Sequence, residues 1–113
     1  MRRAALAALL LIAAPAFAQT TSFDGNWRGS ITPGPGARSN CASDQRTITV
    51  RRGLAEMGQR DGEAVTGTIA ADGSVTMTGG RDRRVTITGR FQGSAFTGEY
   101  RTRGCVSALT LNR

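Results

Sequence analysis

Apolar and polar residues alternate with a period of two along the chain after residue 22, and glycine interrupts the alternation at short intervals. This period is typical of β-strands, in which successive side chains point to opposite faces of the sheet. No helical periodicity in this region extends beyond a single turn. The pattern therefore predicts an all-β protein with eight strands, at residues 26–32, 45–51, 54–59, 63–70, 74–80, 84–92, 95–102 and 105–112.

The turns between the predicted strands test this interpretation. A two-residue loop pairs odd positions with even ones, whereas a three-residue loop pairs like with like. The two-residue loop 52–53, for example, sets Val50 opposite Ala55. All six turns from the second strand to the eighth keep the apolar residues on one face. The consistent parity predicts an antiparallel up-and-down meander.

An open sheet of this kind would leave one apolar face bare and two edges unpaired. Pairing the first strand with the last removes both problems, so we expect the meander to close into a small barrel of about eight strands. Glycine occupies inner positions at residues 29, 67, 89 and 98, each two positions before a large residue. Such glycines mark tight bends, and they predict a narrow barrel filled largely by its own side chains.

Residues 1–18 have the three parts of a secretory signal: two arginines, an apolar run at 4–14 and a small-x-small site that ends at Ala18. The apolar run is shorter than the roughly 20 residues that span a bilayer, so no transmembrane segment is expected. Cleavage after Ala18 would leave a single barrel domain, residues 19–113, in the periplasm or outside the cell.

Two cysteines, Cys41 and Cys105, are the only ones in the chain. An oxidising compartment predicts that they form one disulfide. There is no histidine, which excludes a Ser-His-Asp triad, a Cys-His pair and a His-ligated metal site. The carboxylates fall mostly in turns or on outward positions. We therefore expect no catalytic centre, no metal and no cofactor.

All fifteen basic residues are arginine, and the net charge of +7 becomes +5 without the two in the predicted signal. Such a surface could hold phosphate, lipopolysaccharide, an acidic polysaccharide or an acidic partner protein. A merely soluble, positive surface is the alternative. Nucleic acid is not expected, because no exposed aromatic residues interleave with the arginines. The predicted register gathers six arginines on an outer face near one barrel end: Arg81, Arg83, Arg84, Arg90, Arg101 and Arg103.

One connection, residues 33–44, is too long for a tight hairpin. It could be a recognition surface or a connector that crosses the barrel end, and both interpretations stay open. A second kind of site would lie inside the barrel. If the protein carries a small apolar ligand, the inner aromatic residues would line the mouth that receives it: Trp27, Phe91, Phe96 and Tyr100.

The opening segment 23–29, with Gly25-x-Trp27 on the first strand, resembles the start of calycin barrels such as lipocalins and avidins. The sequence from that opening to 98–100 and 105–113 is similar to small exported bacterial proteins of unassigned function. The resemblance implies a barrel with one end open to a ligand or to a partner protein. This chain is much shorter than a lipocalin, and it lacks the inward polar groups and stacked tryptophans of avidin.

Together these features predict an exported, non-catalytic binding module whose partner is a protein or an anionic envelope component. The 33–44 loop and the arginine-rich end would form its contact surface. A small carrier of an apolar ligand is the first alternative, and a hydrolase with its site at the barrel mouth is the second.

Overall fold

The computed structural model describes residues 21–38, 40–60 and 62–113, so the predicted signal at 1–18 lies outside the described residues. Each of the eight strands is antiparallel to the next, and the last pairs with the first to close a barrel. A 3-10 turn spans Arg81–Arg83. The strands are β1 (Gly25–Pro33), β2 (Gln45–Arg51), β3 (Leu54–Met57), β4 (Glu63–Thr68), β5 (Ser74–Gly80), β6 (Val85–Gln92), β7 (Ala95–Thr102) and β8 (Cys105–Asn112).

The predicted register is confirmed. Val50 lies opposite Ala55 between β2 and β3, and Phe91 lies opposite Phe96 between β6 and β7. Closure is confirmed by β1, which pairs with β2 on one side and with β8 on the other. No described helix is long and apolar enough to cross a bilayer.

Five predicted strand ends differ from the structure. β1 begins one residue earlier and ends one residue later than predicted, at 25 and 33. β3 ends at residue 57 rather than 59, β4 ends at 68 rather than 70, and β6 begins at 85 rather than 84. The pairing of β4 with β5 shifts register between Glu63 and Thr66. The shift faces the glycine doublet at the end of β5, where Gly80 adopts a φ of +78°, a conformation that favours glycine. The 3-10 turn that follows takes Arg84 out of the strand.

The barrel interior is filled by the apolar side chains of inner parity. The side chains of Trp27, Ile48 and Phe96 are fully buried, as are those of Leu109 and Leu111. Every large apolar residue on the inner face of the eight strands belongs to this one cluster. Burial of this surface is the main force that holds the sheet closed.

Glycine allows neighbouring strands to approach closely on the inner face. Gly89 on β6 lies directly opposite Gly98 on β7, and the ring of Phe96 lies over both. A Cβ atom on Gly89 would lie 2.6 Å from Phe96 Cζ and 2.8 Å from Gly98 Cα, which is closer than side-chain atoms pack. The narrow barrel expected from the glycine pattern therefore depends on the missing Cβ atoms.

The connections divide between two barrel ends. The end that we call the loop end carries the segments 34–44, 58–62, 81–84 and 103–104, which follow the odd-numbered strands. The other, which we call the terminus end, carries residues 21–24, the last residue and the three remaining turns. The predicted disulfide is confirmed at the loop end, where the Cα atoms of Cys41 and Cys105 are 5.6 Å apart.

Candidate functional site

The terminus end is closed by Arg113. Its guanidinium lies 4.6 Å from the centroid of the Trp27 ring. It donates hydrogen bonds to the carbonyls of Ser22 (2.9 Å), Asp24 (3.0 Å) and Gly93 (3.3 Å). A cation held over an aromatic face and bonded to three carbonyls stabilises this end and leaves little of Trp27 accessible.

The loop end is closed by Arg46, which shares the inner parity of Ile48 and Val50 on β2. Its guanidinium lies 5.2 Å from the centroid of the Tyr100 ring and donates a 3.4 Å hydrogen bond to the Tyr100 hydroxyl. Nε donates a 2.8 Å bond to Asp44. Burial by itself lowers the pKa of Arg46, but the bonds to Asp44 and Tyr100 outweigh it and raise the pKa above its usual value.

The four aromatic residues considered for a ligand mouth do not lie together. Trp27, Phe91 and Phe96 pack against one another near the terminus end, with the Phe91 centroid 4.8 Å from Trp27 and 4.7 Å from Phe96. Tyr100 lies towards the loop end, under Arg46. All four are at most 4% exposed. In this conformation they form core contacts rather than a common lining.

Four of the six arginines predicted to form a basic patch lie on the segments of the loop end. They are Arg81, Arg83, Arg84 and Arg103. A fifth, Arg101, lies on the outer face of β7 and lines one groove together with Arg84 and Arg103. The structure thus brings five of the predicted residues to one region of the surface.

Arg90 is not part of this group, which corrects the prediction. It has the same outer parity as Arg84, but six residues of extended chain at ~3.3 Å each place it about 20 Å away. There it forms a 3.1 Å ion pair with Asp72. The backbone amide and the hydroxyl of Ser74 also bond this carboxylate and, together with Arg90, lower the pKa of Asp72 to about 2.

Two further arginines at the loop end were missed by the sequence analysis. Arg60, in the β3–β4 connection, lines a groove with Arg81 and Arg103. The guanidinium of Arg38 lies beside Gly104, 3.7 Å from the position that a Cβ atom would occupy there. The sequence could have indicated the position of both arginines. Connections that follow odd-numbered strands of a meander all lie at the same end of the barrel, and Arg38 and Arg60 belong to two of these connections.

The loop end carries more cations than anions. Arg83 pairs with Glu63 at 3.5 Å and Arg84 approaches Asp82 at 3.7 Å. These pairs are exposed, so they hold the side chains only weakly. The sequence of the four connections at this end contains six arginines and three aspartates, a formal charge of +3. Four arginines of the loop end form no ion pair with any described residue: Arg38, Arg60, Arg81 and Arg103.

Three grooves of about 390, 340 and 460 Å³ cross this region. Arg46 and Arg60 line the first, Arg60, Arg81, Arg84 and Arg103 the second, and Arg84, Arg101 and Arg103 the third. A fourth groove, on the outer face of β2 and β3, is lined by one arginine and one carboxylate and has no such charge. We give the name cationic cluster to the eight arginines of this region: Arg38, Arg46, Arg60, Arg81, Arg83, Arg84, Arg101 and Arg103.

The disulfide fixes the long connection beside this cluster. Cys41 is buried and Cys105 begins β8, so the bond ties the middle of segment 34–44 to the barrel wall. The amide of Ile31 donates a 2.8 Å bond to the carbonyl of Asp44 at the end of the same segment. Arg38 and Asp44 are therefore carried by a loop that is attached at both ends and near its middle.

The remaining chemistry-bearing groups are few. Ser107, on inner parity beside Tyr100, has a buried hydroxyl that forms no hydrogen bond with any described residue. In residues 21–38, 40–60 and 62–113, no three Cys, Asp or Glu side chains are grouped as metal ligands.

Comparisons with protein families, with curated proteins and with solved structures found no match. The fold and site thus define a closed, disulfide-linked β-barrel with a cationic loop end.

Proposed function

We propose that this protein is an exported, non-catalytic binding module that receives an anionic partner at its cationic cluster. The observation that carries the proposal is the convergence of arginines from four separate connections and from β2 and β7 on one end of a closed barrel. Export is supported by the signal-like pattern of residues 1–18. A non-catalytic role is supported by the lack of histidine in the sequence.

The physical basis of binding is the arginine side chain itself. Each guanidinium offers a planar set of donors that matches the two oxygens of a carboxylate, phosphate or sulfate group. Several such groups on one surface also attract an anion over about one Debye length, ~8–10 Å at moderate salt. The barrel and the disulfide fix the backbone positions of these arginines before binding, which lowers the conformational cost of binding.

Salt-dependent retention on immobilised heparin tests the proposal. The first variant combines Arg81→Gln, Arg84→Gln and Arg103→Gln, which removes three charges from the cluster. The matched control combines Arg28→Gln, Arg51→Gln and Arg90→Gln, which removes three exposed charges elsewhere on the barrel. Circular dichroism and thermal melts establish that both variants fold.

The cluster variant is expected to elute at a much lower salt concentration than the wild type, and the control only slightly earlier. Equal shifts for the two variants would show that retention follows net charge alone, and would overturn the proposal.

A further inference from the structure

The three cationic grooves adjoin one another, and we call them together the channel. The first and the second share Gln59 and Arg60, and the second and the third share Arg84 and Arg103. The channel therefore begins beside Arg46 at the mouth, passes over the β3–β4 and β5–β6 connections, and continues down the outer face of β6 and β7.

The length of the channel exceeds what a compact anion needs. From β4 to β7 there are three strand spacings, which amount to ~14 Å along the barrel wall at 4.7–4.9 Å each. Arg101 lies two residues below Arg103 on β7, which adds about 7 Å. A single guanidinium can already pair bidentately with one phosphate or carboxylate, whereas six arginines are spread along this path.

Neutral polar groups lie between the arginines. The amide of Gln59 and the hydroxyls of Thr86 and Thr102 line the channel together with the cations. Within the described residues the single carboxylate of the lining is Asp44, and it is already bonded to Arg46. Cations alternating with neutral donors and acceptors match a chain that carries both acidic groups and hydroxyls.

We infer that the ligand is a linear acidic polysaccharide that lies along this channel, an inference that rests on the proposed function. Other polyanions fit less well. None of the described lining residues is aromatic, so the channel lacks the stacking platform that single-stranded nucleic acid uses. The closed barrel leaves no unpaired sheet edge to which an acidic peptide could add a strand.

Titration calorimetry with heparin-derived oligosaccharides tests the inference at fixed ionic strength. A disaccharide, a tetrasaccharide and an octasaccharide are compared with inorganic sulfate, with linear polyphosphate of matched charge and with phosphatidylglycerol vesicles. Single variants at the two halves of the channel, Arg60→Gln and Arg101→Gln, are compared with Arg28→Gln, which removes one exposed charge from β1.

The affinity is expected to rise at least tenfold from the disaccharide to the octasaccharide. Arg60→Gln and Arg101→Gln should each weaken octasaccharide binding several-fold, and Arg28→Gln less than twofold. Polyphosphate is expected to bind more weakly than the octasaccharide, and the vesicles and free sulfate more weakly still.

An octasaccharide that binds no better than the disaccharide would overturn the inference, as would equal effects of Arg60→Gln, Arg101→Gln and Arg28→Gln. Polyphosphate or vesicles that bind as tightly as the octasaccharide would overturn the assignment to a polysaccharide. These results leave the proposed function standing if the triple cluster variant still loses retention on heparin. If the triple variant behaves as its control, the proposed function itself fails.

Discussion

The inner glycine pair on β6 and β7 offers the most direct test of how this barrel closes. In Gly89→Ala the new Cβ atom would lie 2.5 Å from the carbonyl oxygen of Thr97, 2.6 Å from Phe96 Cζ and 2.8 Å from Gly98 Cα. Two of these three atoms belong to the backbone of the neighbouring strand. The strand spacing would have to widen, because turning the Phe96 ring away relieves only one of the contacts.

The expected cost follows from these distances. Overpacking a core by one methyl group costs ~1–3 kcal/mol, and a clash with backbone puts this substitution at the upper limit, about 3 kcal/mol. A domain of about 95 residues has an unfolding entropy of about 0.2 kcal/mol/K. The melting temperature of Gly89→Ala should therefore fall by about 15 °C.

Urea unfolding and thermal melts of four variants measure this effect: Gly89→Ala, Gly58→Ala, Phe96→Leu, and the double variant of Gly89→Ala with Phe96→Leu. Gly58→Ala is the control, because a Cβ atom there meets nothing within 4 Å, and its effect should stay within ~0.5 kcal/mol. The double variant of Gly89→Ala with Phe96→Leu separates the backbone clash from the ring contact. We expect it to recover less than about 1 kcal/mol in the double-mutant cycle. Full recovery, or a Gly89→Ala variant as stable as Gly58→Ala, would refute the argument that strand spacing is limiting.

Three further predictions concern the elements that close and support the barrel. Replacing Cys41 and Cys105 by serine opens a loop of 64 residues and should cost about 4 kcal/mol in urea unfolding, so an unchanged midpoint would contradict the role of the disulfide. Arg46→Met removes the contacts with the tyrosine at the loop end and should cost ~1–2 kcal/mol in the same assay; no loss would show that Arg46 does not close this end. Asp72 has a pKa of about 2, lowered chiefly by Ser74, whereas its unfolded pKa is near 4, so its stabilisation is complete above about pH 4 and is lost as the pH falls towards 2. The difference in melting temperature between the wild type and Asp72→Asn should shrink over that range, and a constant difference would contradict this account.

Strand register could be predicted because the side-chain period of a strand is two and each tight turn has a fixed number of residues. The register shift between β4 and β5 could not, since a bulge changes the pairing without changing the apolar pattern. Gly79 and Gly80 are compatible with a regular strand or with a bulge, so their presence alone does not decide between them. The start of β6 at residue 85 depends on the 3-10 turn that follows the glycine doublet.

The arginine site was predictable in part. Parity assigns a face of the sheet but not a height along the barrel, which explains why Arg90 was grouped with Arg84. Arg38 and Arg60 follow from the topology, since both lie on connections that succeed odd-numbered strands. Arg46 has inner parity in the sequence, but an arginine is not expected in a half-buried position unless groups such as Asp44 and Tyr100 bond it, and their proximity follows only from the fold.

Two properties separate the arginines that stabilise this fold from those available to a ligand: how exposed the side chain is, and whether it is bonded to other groups of the protein. Arg113 is held over Trp27 by three carbonyls, so its loss would weaken the terminus end before it affected binding. Arg60, Arg81 and Arg103 are exposed and form no ion pair within the described residues. An anion can bind these three without breaking an internal contact. The arginines at the two mouths, Arg113 and Arg46, are bonded to the barrel's own groups, whereas those of the loop end that have no ion pair face solvent. The proposed binding therefore lies outside the barrel rather than within it.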